Sequence, residues 1–161
     1  MSLAEQVIHA CRDKGVMLSM AESCTGGLLA AALTEVPGAS AVVERGFVTY
    51  TNAAKEQMLG VSADTLRLYG AVSPQVAQEM AQGALARSQA DLAVALTGIA
   101  GPGGSEFKPE GRVCFALAQT GQPTRCETVE FGALGRANVR QASCQHALEQ
   151  ILSAIHGMHK I

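Results

Sequence analysis

Ser23-Cys24-Thr25-Gly26-Gly27 stands where an apolar run, Val16 to Ala21, meets a helical pattern, Leu28 to Leu33. A strand that turns through two glycines into a helix directs backbone N–H groups and side-chain hydroxyls at one spot, which suits an anion or a developing oxyanion. Local sequence leaves Ser23 three roles: a cap for the following helix, a contact to a ligand phosphate, or a nucleophile. Cys24 beside it is intrinsically the stronger nucleophile, although a cysteine in this setting is also a common buried residue.

A nucleophilic serine needs a base. His9 falls on the first predicted helix and His146, His156 and His159 on the last, so a histidine partner would depend on tertiary contact. Lys55 is the best lysine, because a cation in the first turn of a helix over Asn52 to Leu59 faces the positive end of the dipole, and burial would disfavour its charge further. A solvated surface lysine is the alternative of equal weight. Ser40, beyond the Pro37-Gly38 turn, and Tyr50, at a strand end, suit ordinary turn and core roles as well as a site. Thr97, at a strand end before Gly98, points more strongly to a ligand, and Arg140 lies near the first turn of the last helix, off its apolar stripe.

Common nucleotide motifs are missing. Nothing matches G-x-x-x-x-G-K-[ST], and the glycine loop puts Glu106 where G-x-G-x-x-G needs its last glycine. A literal S-x-x-K occurs at Ser105-Glu106-Phe107-Lys108, but that motif works from a helix, whereas glycines precede this one and Pro109 follows. It carries little weight as catalytic machinery.

The elements that must position these residues follow from periodicity. The first helix covers Leu3 to Lys14, with Gly15 as its stop, and the strand Val16 to Ala21 follows. Leu28 to Thr34 predicts a small-residue helix ended by Pro37-Gly38. Ala41-Val42-Val43 and Phe47 to Tyr50 read as strand, with Gly46 as a bulge or point of close approach. Thr51-Asn52 caps a short helix closed by Gly60, and Ser73-Pro74 opens another whose buried face is Ala77, Met80, Ala81, Ala84 and Leu85. Leu92 to Leu96 is a strand covered on both faces, and it delivers Thr97-Gly98 at its C-terminal end. Arg112 to Gln119 and Thr124 to Phe131 predict a hairpin, and Arg136 to His156 a final helix.

With 161 residues, hydrophobic 48% and charged 16%, the chain fits one globular α/β domain spanning 1–161. No internal repeat or linker divides it, and the Gly/Pro-rich stretch Gly98 to Gly111 reads as a functional loop. A net charge of -2 and 4% aromatic residues argue against nucleic acid as a ligand. No apolar run approaches the ~18 residues that cross a bilayer, and the N-terminus lacks the order of a secretory signal, so a cytoplasmic protein without membrane partners is expected. The 5 cysteines are odd in number and form no C-x-x-C pair, which speaks against a disulfide framework or a zinc site.

Taken together, Ala21-Glu22-Ser23-Cys24-Thr25-Gly26-Gly27, Glu44 to Asn52 with Lys55, Leu59-Gly60-Val61, Gly70-Ala71-Val72-Ser73 and Thr97 to Pro102 resemble the CinA C-terminal domain family, over nearly the whole chain. The resemblance implies a three-layer α/β/α sandwich around a mixed, mostly parallel sheet. The stand-alone members of the family are nicotinamide-nucleotide amidases, so it also implies hydrolysis of the carboxamide of nicotinamide mononucleotide in pyridine-nucleotide salvage. A Ser/Lys-type site is implied, with no cofactor or metal. Carried over by position, Ser23, Lys55, Ser40 and Tyr50 are the expected catalytic group, with Ser23 and Lys55 first. Thr25, Gly26, Gly27, Thr97, Gly98 and Arg140 are the expected substrate-binding group, the 5′-phosphate falling to the Thr25-Gly26-Gly27 helix start, the Gly98 to Gly104 loop and Arg140.

The family also suggests a homo-oligomer, with a dimer favoured. Ala39 stands beside Ser40 where relatives often pair two serines, and the larger N-terminal domain of full-length CinA proteins is lacking, which reads as the short amidase form. Two rivals remain at this level: a non-catalytic mononucleotide-binding regulatory module with a solvated Lys55, and an amidase whose nucleophile is Cys24.

Overall fold

Continuous apolar runs flanked by amphipathic helices need a sheet that is covered on both faces, and the computed structural model, which describes residues 1–105 and 107–158, has that form. Glu106 of the S-x-x-K tetrapeptide and His159, expected on the last helix, lie outside the described residues. The elements are α1 (Leu3–Lys14), β1 (Leu18–Glu22), α2 (Leu28–Thr34), a 3₁₀ turn (Ala39–Ala41), β2 (Val43–Val48), α3 (Asn52–Leu59), α4 (Ala63–Tyr69), α5 (Pro74–Ala86), β3 (Leu92–Gly98), β4 (Arg112–Gln119), β5 (Arg125–Glu130) and α6 (Arg136–His156).

Punctuation residues act as their chemistry dictates. Ser2 and Glu5 close a capping box on α1, and Gly15 ends that helix at φ 69. The side chains of Thr51 and Ser73 accept from Ala54 N and Val76 N to start α3 and α5. The sequence reading missed α4, a helix of 7 residues with one buried side chain, Leu66, which gives too little periodicity to see.

The sheet has five strands in the order β2-β1-β3-β4-β5. β1 pairs parallel with both β2 and β3, while β3–β4 and β4–β5 are antiparallel. The sheet is therefore mixed as expected, with parallel and antiparallel pairings equal in number. β2 also departs from expectation. It runs unbroken through Gly46, and the register shift lies where Leu18 pairs with Val43 and Ser19 with Arg45, which leaves Glu44 as the extra residue. A Cβ on Gly46 would meet its nearest neighbour at 3.6 Å, an ordinary contact.

Alternate residues of β3 feed two hydrophobic clusters. Leu92, Val94 and Leu96 pack with α1, α2 and α6 through residues such as Ile8, Leu33, Leu148 and Ile151. Ala93 and Ala95 pack with Val76, Ala77, Met80, Ala81 and Ala84 of α5. Small residues on this second face, Ala116 and Ala118 among them, let α5 lie close to the sheet. Gly83 of α5 shows how close the packing is, since a Cβ there would stand 2.0 Å from the carbonyl oxygen of Leu59.

One consequence of the topology governs the site. Three parallel strands end at one edge: Glu22 of β1 pairs with Val48 of β2 and with Leu96 of β3, so the loops that follow these strands converge there.

Candidate active site

Each converging loop brings a reactive or shaping group. β1 hands over Ser23, whose N–H donates to Leu96 O at 3.2 Å, and β2 hands over Thr49 and Tyr50, with Thr49 N donating to Glu22 O at 2.8 Å. α3 starts directly afterwards and carries Lys55 in its first turn, aimed back at the strand ends. β3 contributes Thr97 and Gly98, and the first turn of α6 contributes Arg136. Together they line a cleft of about 290 Å³, with Cys24, Ala71, Val72 and the loop from Ile99 to Ser105 completing its walls.

At its floor Lys55 Nζ lies 3.0 Å from Ser23 Oγ, 2.8 Å from Thr49 O and 3.4 Å from Tyr50 O. Lys55 is 1% exposed and Ser23 7%. Burial of an amine disfavours its ammonium form. Nζ donates to Ser23 Oγ and to the two carbonyls, which fixes the amine against the serine hydroxyl. A serine and a buried lysine in hydrogen-bond contact have the geometry that a nucleophile and its base require.

Nearby donors could hold an oxyanion. The N–H groups of Cys24, Ala100 and Gly101 donate to no backbone carbonyl among the described residues, and all three residues border the cleft. Cys24 itself is 6% exposed, and burial pushes its thiol up to about 11, so it is a protonated, weakly nucleophilic group at neutral pH.

The expected residues divide into those brought together and those held apart. Ser23, Lys55, Tyr50, Thr97 and Gly98 border one cleft. Thr97 Oγ1, 1% exposed, donates to Ala71 O at 2.9 Å and so braces the wall. Ser40 is exposed on the 3₁₀ turn and borders a separate hollow with Thr34, Val36, Pro37 and Val43.

Thr25, Gly26 and Gly27 do not line the cleft, and a buried carboxyl group explains why the α2 start is closed to a ligand. Glu22, 1% exposed, accepts from Thr25 Oγ1 at 2.6 Å, Gly27 N at 3.2 Å, Leu29 N at 3.0 Å and Ala30 N at 3.0 Å. The donors expected to hold a phosphate are thus occupied from within the chain. Arg140 is likewise engaged, with Nε donating to Cys24 O and Nη2 to Thr25 O, both at 3.1 Å. It clamps the outside of the serine turn.

Arg136, which the sequence reading passed over, takes the position at the cleft mouth. Its Nη1 donates to Gly101 O and its Nη2 to Tyr50 Oη, each at 2.7 Å, and the residue is exposed. The available signal was an arginine as the first residue of a helix, directly after Gly135. Glu22 also went unnoticed as a cap, because its donors lie up to eight residues ahead, beyond the three-residue span of a capping box. Among the described residues no group of three or more His, Cys, Asp or Glu side chains could hold a metal, and no helix is long and apolar enough to cross a membrane.

Comparison with known proteins points in one direction. The model of the CinA C-terminal domain matches residues 1–155. The nicotinamide-nucleotide amidohydrolase PncC of Escherichia coli K12 is 48% identical over 152 residues, covering 94% of this chain and 92% of that protein. A putative competence-damage inducible protein of Caldicellulosiruptor saccharolyticus is 46% identical over 156 residues, and there the chain spans only 37% of the relative's length. Among solved structures, the competence/damage inducible protein CihA of Agrobacterium tumefaciens superposes with a TM-score of 0.91 at 52% identity, covering 96% of this chain and 93% of that one.

Proposed function

Because the chain belongs to the CinA C-terminal domain family, we propose that it hydrolyses the carboxamide of nicotinamide mononucleotide to nicotinate mononucleotide and ammonia, acting as a single domain in pyridine-nucleotide salvage. The observation that carries this reading is the 3.0 Å contact between Lys55 Nζ and Ser23 Oγ at the floor of a cleft. Near-full-length similarity to an amidohydrolase of that specificity supports the choice of substrate.

In this reading neutral Lys55 takes the Ser23 proton and the alkoxide attacks the carboxamide carbon. The N–H groups of Cys24, Ala100 and Gly101 receive the oxyanion. Collapse of the tetrahedral adduct breaks the C–N bond, and the Lys55 ammonium returns its proton to the departing amide nitrogen, which leaves as ammonia. Water, deprotonated in turn by Lys55, then cleaves the nicotinoyl ester and restores Ser23. No cofactor is needed for any step.

Ala71, Val72, Ile99 and Ala100 supply an apolar lining for the pyridine ring, and exposed Arg136 is the cation suited to the 5′-phosphate. Tyr50, bonded to Arg136, belongs to the same end of the substrate. The packing of helices against both faces of the sheet supports the three-layer α/β/α arrangement. A cytoplasmic homo-oligomer is the setting this reading implies.

The test is direct. Purified protein mixed with nicotinamide mononucleotide should release ammonia and nicotinate mononucleotide in equal amounts, and Ser23→Ala should release neither. Tight binding without turnover by the parent protein would instead identify a regulatory module.

A further inference from the structure

The connection from the end of α4 to the start of α5 belongs to no sheet, so no ladder satisfies its carbonyls. Four consecutive carbonyls, from Tyr69 to Val72, are nevertheless each taken by a side chain. Lys108 Nζ donates to Tyr69 O and to Val72 O, both at 2.6 Å. Ser73 Oγ donates to Gly70 O and Thr97 Oγ1 to Ala71 O, both at 2.9 Å. Such complete bracing of an irregular segment makes it a rigid surface, and Ala71 and Val72 are the part of it that lines the cleft.

Lys108 does not touch the cleft. It stands in a neighbouring hollow with Tyr69, Ser73 and Arg112, on the far side of Val72. Its own backbone is pinned to the glycine loop, with Ser105 N donating to Lys108 O at 2.9 Å and Lys108 N to Ser105 O at 2.8 Å. Ser105 lines the cleft. One residue therefore joins two walls of the cleft, its ammonium bonding the Ala71-Val72 face through charge-assisted bonds and its backbone the glycine loop. This is the lysine of the S-x-x-K tetrapeptide, and both its place and its bonds serve positioning.

We propose that Lys108 is a positioning residue for substrate binding, which sets the separation of the two walls between which the carboxamide-bearing ring reaches the Ser23–Lys55 pair. The proposal rests on the amidase reading above. A wall displaced by a fraction of an ångström leaves the nucleophile and base intact but binds the ring less well.

The experiment compares Lys108→Met, Lys108→Arg and the parent protein on nicotinamide mononucleotide and on nicotinamide riboside. Lys108→Met is expected to raise KM for both substrates by the same factor, about tenfold, with kcat within about threefold and the acid limb of the pH profile unmoved. Lys108→Arg, which can reach both carbonyls, should restore most of the loss. Amide hydrogen exchange over Gly70 to Val72 should quicken in Lys108→Met while the segment around Ser23 stays protected. If Lys108→Met fails to fold, Lys108→Gln, which keeps two donors without the charge, takes its place with a smaller rise in KM. Turnover by the parent with unchanged KM and unchanged exchange in the variant would overturn the role of Lys108 alone. Absence of turnover in the parent would remove the amidase reading and this role with it.

Discussion

Lys55 Nζ sits 3.0 Å from Ser23 Oγ although 32 residues separate them in the chain, and parallel strand ends are what bring them together. Ser23 follows β1, Lys55 opens the helix after β2, and the two strands share one direction and one edge. If this pair is the nucleophile and base, Ser23→Ala and Lys55→Met should each lower kcat by about 10³-fold or more, and the double variant should lose little beyond either single one. Circular dichroism should show the fold intact, since methionine fills most of the space of the buried lysine stem. Single variants retaining a tenth of parental activity would remove the mechanism.

The buried thiol beside the serine offers a sharp contrast. Burial pushes the Cys24 thiol up to about 11 from an ordinary value of 9.0, so iodoacetamide at pH 7.5 should leave activity unchanged and Cys24→Ala should remain active. The same shift has a sign for stability. An unfolded thiol ionises near 9.0 while the native one keeps its proton to about 11, so this contribution is complete below pH 9.0 and is lost as pH rises through that interval. Cys24→Ala should flatten the alkaline fall in melting temperature over that range. A Cys24→Ala enzyme without turnover would move the nucleophile from serine to sulfur.

Arg136 and Arg140 make distinguishable predictions. Arg136→Ala should raise KM for nicotinamide mononucleotide roughly 10–100-fold and change the riboside much less, because the phosphate loses its partner only in the first, while Gly101 O and Tyr50 Oη lose their donor with either substrate. Arg140→Ala should cost about 1–2 kcal/mol of stability by releasing the carbonyls of Cys24 and Thr25. It should lower kcat on both substrates alike, since it loosens the serine turn. Loss of the preference for phosphate in the Arg140 variant instead would exchange the two assignments.

Glu22 ties four donors at the head of α2 to the strand that carries Ser23. Glu22→Ala leaves them unsatisfied in a buried place and should destabilise by roughly 3 kcal/mol, read from the urea midpoint. Glu22→Gln should fall between, since its amide keeps an acceptor for Thr25, Gly27 and Leu29 but sets an NH₂ against Ala30 N–H. A Glu22→Ala protein as stable as the parent would show that water replaces the carboxyl group at no cost.

Local chemistry made several features legible in the chain. The bounds of α1, α2, β4 and α6 follow from capping residues and apolar period, and the serine turn follows from Gly26-Gly27, both of which take positive φ, 58 and 110. Residue type made Ser23 and Lys55 candidates, with a helix cap and a solvated lysine open beside them, and the family resemblance put the two first. Gly46 is neither a bulge nor a point of close approach, because the extra residue is Glu44 and a Cβ at 46 would make only ordinary contacts; spacing reveals neither register nor crowding.

Tertiary structure alone decided which polar groups face the cleft. Arg136 and Arg140 lie one helical turn, about 6 Å, apart on α6, so no pattern distinguishes them. The first turn meets the cleft mouth while the second meets the carbonyls of Cys24 and Thr25. The head of α2 offers donors in any sequence reading, yet a buried carboxyl from the preceding strand claims them first. Sequence determines which groups a chain has and which local turns they prefer; only packing determines which of their bonds are already spent, because hydrogen bonds and burial are settled between segments distant in the chain.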